Sequence, residues 1–164
     1  MFLYETCYYV NMVDQINKIQ KVTRNDQLNQ ALEAVHFGYR ALIAYPDERL
    51  KEIAYSRVHH RVMYFIARNE NCSVNELLEV MGVSKQYLNR PLRQLTEDAY
   101  VEVRVDEADK RVKRIKLTQL GAKLERELSG EQRKRFERVF ELAGPQAEAG
   151  WRKVMGLLVE SVNE

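Results

Sequence analysis

The stretch that most constrains this chain runs from Ser73 to Leu117, where two short helical patterns are followed directly by two alternating strands. Ser73-Val74-Asn75-Glu76 has the spacing of a capping box: the serine hydroxyl accepts from the third helical amide, and the glutamate reaches back to the serine N–H. Leu77, Leu78 and Met81 supply the buried face. Gly82-Val83 makes a tight turn, and Ser84 caps a second helix that buries Leu88, Leu92 and Leu95. Two short helices across a glycine-containing turn form a helix-turn-helix. Pro91 deletes the helical bond to the Tyr87 carbonyl and predicts a bend there. After Asp98, Val101, Val103 and Val105 alternate with polar residues, and so do Ile115 and Leu117. Asp106 to Arg111 makes a polar hairpin tip between them, so the hairpin is a wing.

The polar face of the second helix carries Ser84, Lys85, Gln86, Asn89, Arg90 and Arg93, with no acid between Ser84 and Thr96. These types suit duplex DNA. Arginine and lysine match guanine's major-groove acceptors, asparagine and glutamine match adenine, and serine can hold a phosphate. The wing carries Lys110, Arg111, Lys113, Arg114 and Lys116 without an intervening acid, which suits a minor groove or its flanking phosphates. A solvated charged face and an aggregation-blocking hairpin edge are the plainer explanations of the same residues.

Around this unit the pattern is helical. Asn25 or Asp26 can cap a helix with the stripe Leu28, Leu32, Val35, Tyr39 and Leu42. Its steps of four and three residues make the narrow seam of helix-on-helix packing. Pro46 with Asp47 and Glu48 predicts a short separate helix to about Ala54, and Ser56 a further one to about Arg68. Thr118 caps a long helix with a bend expected at Ser129-Gly130. Gly144-Pro145 stops it and starts a last helix that buries Trp151, Val154 or Met155, Leu158 and Val162. The Leu28–Leu42 stripe meets either the chain's own core or another subunit; one small domain offers the last helices little to cover, and a two-fold partner supplying the missing surface is the simplest answer. Residues 1–24 are an N-terminal extension in which Tyr4, Tyr8 and Tyr9 surround Cys7, with Met12, Ile16 and Ile19 at helical spacing. Met12 is a second candidate start.

Composition narrows the function. The 164 residues carry 26 basic and 24 acidic side chains, a net of +2, so the placement of charge rather than its total must point to a partner. Thr6 to Val13 is the longest uncharged run, far short of the roughly 20 residues of a membrane helix. No signal peptide precedes it, so the expected location is cytoplasmic. Cys7 and Cys72 are too few for a disulfide framework, and with His36, His59 and His60 they have no metal-ligand spacing. No metal or cofactor is expected. No phosphate-cradling glycine loop or nucleophile elbow suggests an enzyme.

The wing segment from Asp109 through Arg111 and Ile115 to Leu117-Thr118, followed by Gly121, resembles the signature of the multiple-antibiotic-resistance-regulator (MarR) family, as do Ser73 to Leu78 and Gly82-Val83-Ser84 upstream. The resemblance covers residues 26–163. It implies a mainly α fold with a small β-hairpin wing: a winged helix-turn-helix at 46–118, with 25–45 and 119–164 as a helical dimerisation region. It further implies a homodimer on a pseudo-palindromic operator, with recognition helices in major grooves and Arg111 entering the minor groove. Asp109 would orient that arginine. Many members release DNA on binding a small aromatic effector. His36, Tyr39, His59 and Tyr64 are the candidate contacts here. Two departures stand out: Ala99 replaces a customary glycine, and no cysteine lies in the first family helix. The expected activity is therefore a ligand-responsive transcriptional repressor acting on double-stranded DNA. The alternative is a winged-helix protein-interaction module whose basic face is neutralised by acids such as Asp106, Glu107 and Glu97.

Overall fold

The computed structural model describes residues 22–161. The readings on Tyr4, Cys7, Tyr8, Tyr9, Met12, Ile16, Ile19 and Val162 lie outside the described residues. The chain divides into two units, one ending at Ala41 and one beginning at Leu42.

The first helix, α1, spans Arg24–Glu52. It begins two or three residues earlier than Asn25 or Asp26 would place it: the Thr23 hydroxyl accepts from the Asp26 N–H at 3.2 Å, and Asp26 Oδ2 accepts from the Thr23 N–H at 2.9 Å. That reciprocal pair satisfies two amides which the first turn would otherwise leave open. Within the first unit Leu28, Leu32, Val35 and Tyr39 are all exposed, Leu32 by 71%. The separate helix expected to start at Pro46 does not exist, because α1 continues through that proline. Pro46 lies on one stripe with Ile43 and Leu50, and all three are buried. Burial of that stripe offsets the one helical bond that the proline removes.

The second unit holds α2 (Arg57–Arg68), α3 (Val74–Met81), α4 (Lys85–Glu97), β1 (Val101–Val105), β2 (Lys113–Leu117), α5 (Gln119–Ala143) and α6 (Pro145–Glu160). The two strands form an antiparallel hairpin that pairs Val101 with Leu117 and Val103 with Ile115. Ser73 adds an isolated bridge to Arg114, and the Ile115 N–H donates to the Cys72 carbonyl at 2.9 Å, so the loop before α3 acts as a third short strand. The core gathers Leu50, Val62, Met63, Ile66, Leu77, Leu88, Leu95, Val101, Ile115, Leu124 and Leu128. Cys72 is buried beside them, and burial pushes its thiol up, as suits a packing residue. Among the described residues no helix is long and apolar enough to cross a membrane.

Two backbone positions set the join between the wing and α5. Ala99 has φ +59°, so alanine does occupy the left-handed conformation for which glycine is the low-cost choice. A Cβ on Gly121 would sit 2.0 Å from the Tyr100 carbonyl oxygen, so only glycine lets α5 approach the strand this closely. Thr118 caps α5 by accepting from the Gly121 N–H at 3.1 Å. The helix then runs unbroken through Ser129 and Gly130, and Gly144 at φ +84° separates it from α6. The expected burial of Trp151, Val154, Met155 and Leu158 is not met within one chain. No residue of α6 is buried, and Trp151 is 41% exposed.

Candidate nucleic-acid interface

The helix-turn-helix is built by caps at three points. The Ser73 hydroxyl accepts from the Glu76 N–H at 3.2 Å, and Glu76 Oε2 accepts from the Ser73 N–H at 2.6 Å. Gly82 closes α3 at φ +62°, the left-handed turn that glycine adopts without a Cβ penalty. The Ser84 hydroxyl accepts from the Tyr87 N–H at 3.3 Å and starts α4. Helix α4 then buries Leu88, Pro91 and Leu95 and runs unbroken through the proline.

The opposite face exposes Lys85, Gln86, Asn89, Arg90 and Arg93. Arg93 stands 3.6 Å from Glu97, an exposed pair one helical turn apart that contributes a few tenths of a kcal/mol. Ser84 is exposed as well, but its hydroxyl is engaged in the cap. At the wing, Lys110, Arg111 and Lys113 are exposed. Among the described residues Lys85, Arg90, Lys110, Arg111 and Lys113 make no ion pair.

Of the acids that could neutralise this face, Glu97 pairs with Arg93 alone among the described residues, and Asp106 is occupied elsewhere. Asp106 accepts from Arg114 Nε at 2.7 Å and from the N–H groups of Ala108 and Asp109 at 2.9 and 3.0 Å. The Arg114 bond and those two backbone donors hold its carboxyl down to about 2. Arg114 also reaches Glu76 at 3.2 Å, which ties the wing to the first turn of α3. Asp109 acts on Arg111 through the backbone: its Oδ1 accepts from the Arg111 N–H at 2.9 Å and shapes the turn rather than gripping the guanidinium. Glu107 forms no ion pair among the described residues.

The candidate effector contacts divide between the two units. His36 and Tyr39 are exposed in the first unit. In the second, Tyr64 is half-buried with the Arg68 guanidinium 5.6 Å from its ring centroid. His59 is buried and hydrogen-bonded at both ring nitrogens, to Ser56 and to Gln94. Two grooves of this unit, of about 610 and 370 Å³, are lined by other residues, the larger by Phe136, Phe140 and Trp151. Sequence reasoning missed two structural ties: the link of Arg114 to Asp106 and Glu76, and the contacts from α2 to α4 through His59. The Ser56-x-x-His59 spacing was the available signal for the second.

A chain with this helix-turn-helix and wing has known relatives. Residues 55–112 match the family model described as MarR family. The HTH-type transcriptional regulator PetP of Rhodobacter capsulatus is 46% identical over 136 residues, which is 83% of this chain and 82% of PetP. The chain belongs to the MarR family. It is accordingly a DNA-binding transcriptional regulator rather than an enzyme. Solved structures share the fold. Streptococcus pneumoniae FabT in complex with DNA superposes with a TM-score of 0.73 at 15% identity, covering 85% of this chain and 97% of FabT. The S. aureus MepR–DNA complex does so with a TM-score of 0.65 at 14% identity, covering 79% and 96%. At such identities the likeness is one of fold alone.

Proposed function

We propose that this MarR-family regulator acts as a cytoplasmic homodimer and represses transcription from a pseudo-palindromic operator. The observation that carries the DNA-facing part is the set of five unpaired, exposed cations on α4 and the wing. A helix that buries Leu88, Pro91 and Leu95 while presenting Lys85, Gln86, Asn89 and Arg90 has the chemistry to enter a major groove. Arg93 adds a lightly held charge. Lys110, Arg111 and Lys113 supply phosphate or minor-groove contacts, and Ser84 lies where a helix N-terminus meets a phosphate. The same observation disfavours a protein-interaction module, because Asp106 is committed to Arg114 instead of screening this face.

Homodimerisation is supported by exposed apolar surface: Leu28, Leu32, Val35 and Tyr39 on α1, and Val154, Leu157 and Leu158 on α6, beside a Trp151 that Phe136 and Phe140 cover in part. Release by a small aromatic acid completes the proposed cycle, with His36, Tyr39, His59 and Tyr64 as candidate contacts. Both ring nitrogens of His59 are engaged, so a ligand bonds there only by displacing Ser56 or Gln94. Such a ligand acts only through a difference in affinity between the DNA-competent and DNA-incompetent forms.

The test is binding of the full-length protein to duplex DNA from upstream of its own gene, titrated with salt and then with small aromatic acids. Lys113→Ala is expected to weaken binding to all sequences alike and to make the salt dependence shallower. Binding that ignores salt, or a Lys113→Ala protein that changes preference at a single base pair, contradicts the assignment.

A further inference from the structure

The start of α2 grips the second half of α4 through a stacked pair of rings. His59 Nδ1 lies 3.1 Å from the backbone N–H of Ser56. A backbone amide only donates, so Nδ1 holds the lone pair and the ring proton sits on Nε2. That Nε2–H donates to Gln94 Oε1 at 3.1 Å. The Tyr55 ring lies against His59 with centroids 4.4 Å apart and planes 12° apart. Its hydroxyl donates to Asp98 Oδ2 at 2.7 Å, and Asp98 is the residue that closes α4. Tyr100 backs Tyr55 edge-on at 5.4 Å. Gln94 and Asp98, one turn apart on α4, are thus both held from a single point whose own backbone is fixed by the α2 cap.

We infer that Tyr55 and His59 are positioning residues for DNA binding: through Gln94 and Asp98 they fix the orientation in which α4 presents its polar face. The inference rests on α4 being the helix that reads DNA. Neither side chain belongs to the exposed polar face. Tyr55 and His59 are buried, so they act through α4 and not on the duplex.

The tautomer gives the inference a signature that packing alone would not produce. An imidazolium has no lone pair for the Ser56 N–H, so protonation of His59 replaces that bond by one from Nδ1–H to the Ser56 hydroxyl, also 3.1 Å away, and changes how the ring is held. The charged groups of α4 facing the ring are Asp98, which attracts a proton, and Arg90, which repels it; burial outweighs both and keeps His59 below its ordinary value. Tyr55 on the ring's other face stays protonated, since burial and Asp98 push its hydroxyl up. DNA affinity should therefore weaken in acid through His59.

The experiment uses full-length protein and a duplex that the wild type selects from a randomised pool. Tyr55→Phe keeps the stacked ring and removes the bond to Asp98; Gln94→Ala removes the acceptor for His59. Each is expected to lower affinity about tenfold, the upper range for one lost hydrogen bond, with cooperative unfolding retained and an unaltered salt slope because no phosphate contact is lost. His59→Phe should flatten the loss of wild-type affinity as pH is taken from about 7.5 to well below 6.5, the range in which a lowered His59 gains its proton in the folded chain. Arg90→Ala is the control on the reading of α4. If it loses affinity while Tyr55→Phe and Gln94→Ala stay within about twofold of wild type, the positioning role is overturned and the α4 reading stands. If Arg90→Ala binds like wild type, the α4 reading itself fails. A pH profile in His59→Phe as steep as that of the wild type also overturns the inference, and should that variant not fold, the other two decide.

Discussion

Helices α4 and α6 both carry apolar side chains at helical spacing, yet one hides them and the other does not. Helix α4 buries Leu88, Pro91 and Leu95 in its own chain and shows solvent a polar, cationic face. Helix α6 has no fully buried residue and shows solvent Val154, Leu157 and Leu158, with Trp151 only partly covered by Phe136 and Phe140. The difference separates two kinds of partner. A face whose apolar side is already covered and most of whose cations lack an acid partner fits a polyanion. A face of uncovered leucine, valine and tryptophan fits another apolar surface, and a second copy of the chain presents one. The winged unit thus covers its own apolar side, whereas the exposed apolar side of α6 is what supports the proposed pairing of two copies.

Perturbing each face should produce different losses. The largest effect is expected at α6: Leu158→Glu should halve the sedimenting mass with helicity intact, and should lower operator affinity by about a hundredfold or more because two half-sites no longer bind as one unit. A variant that keeps the mass of two chains breaks the comparison at once. Next is the platform beneath α4. Gly121→Ala drives a Cβ against the Tyr100 carbonyl and is expected to lower stability by about 3 kcal/mol, measured by denaturant unfolding. Arg90→Ala should leave stability alone and cost about 1–3 kcal/mol of operator binding, with relaxed preference at one base position.

Acid should act on the platform too. Burial lowers both His59 and His60, with His60 held against the Ser129 hydroxyl at 3.1 Å. Neutral forms are therefore favoured in the folded chain. Their contribution is complete above about pH 6.5 and is lost as pH falls through that value towards the lowered folded values. Unfolding free energies measured at pH 7.5 and 5.5 should differ in that direction, and His59→Phe should narrow the gap. The smallest effect is at Ala99, where glycine relieves the left-handed strain. Ala99→Gly is expected to raise stability by up to about 1 kcal/mol, read as a small rise in melting temperature.

The sequence was most legible where local chemistry decides structure. Ser73 with Glu76, Gly82, Ser84, Thr118 and Gly144-Pro145 are short-range signals, and each marks an element boundary in the fold. It was least legible where distant residues decide. Pro46 with Asp47 and Glu48 has every local mark of a helix start, but burial of Ile43, Pro46 and Leu50 on one stripe carries α1 through it. Asp47 instead pairs with Arg57 at 2.7 Å at the start of α2. His59 reads in sequence as one more ring on an amphipathic helix; only the fold brings Gln94, thirty-five residues away, to its Nε2. The exposed set on α4 followed from helical spacing alone, since its apolar stripe fixes which side faces out.

The central claim is that two copies of this chain present α4 and the wing to one duplex. Sedimentation equilibrium of the full-length protein with a selected operator, repeated across a range of salt, measures stoichiometry and affinity together. Two chains per duplex, with log affinity falling against log salt at a slope of about −4 or steeper, is the expected result. One chain per duplex, or an affinity indifferent to salt, contradicts it.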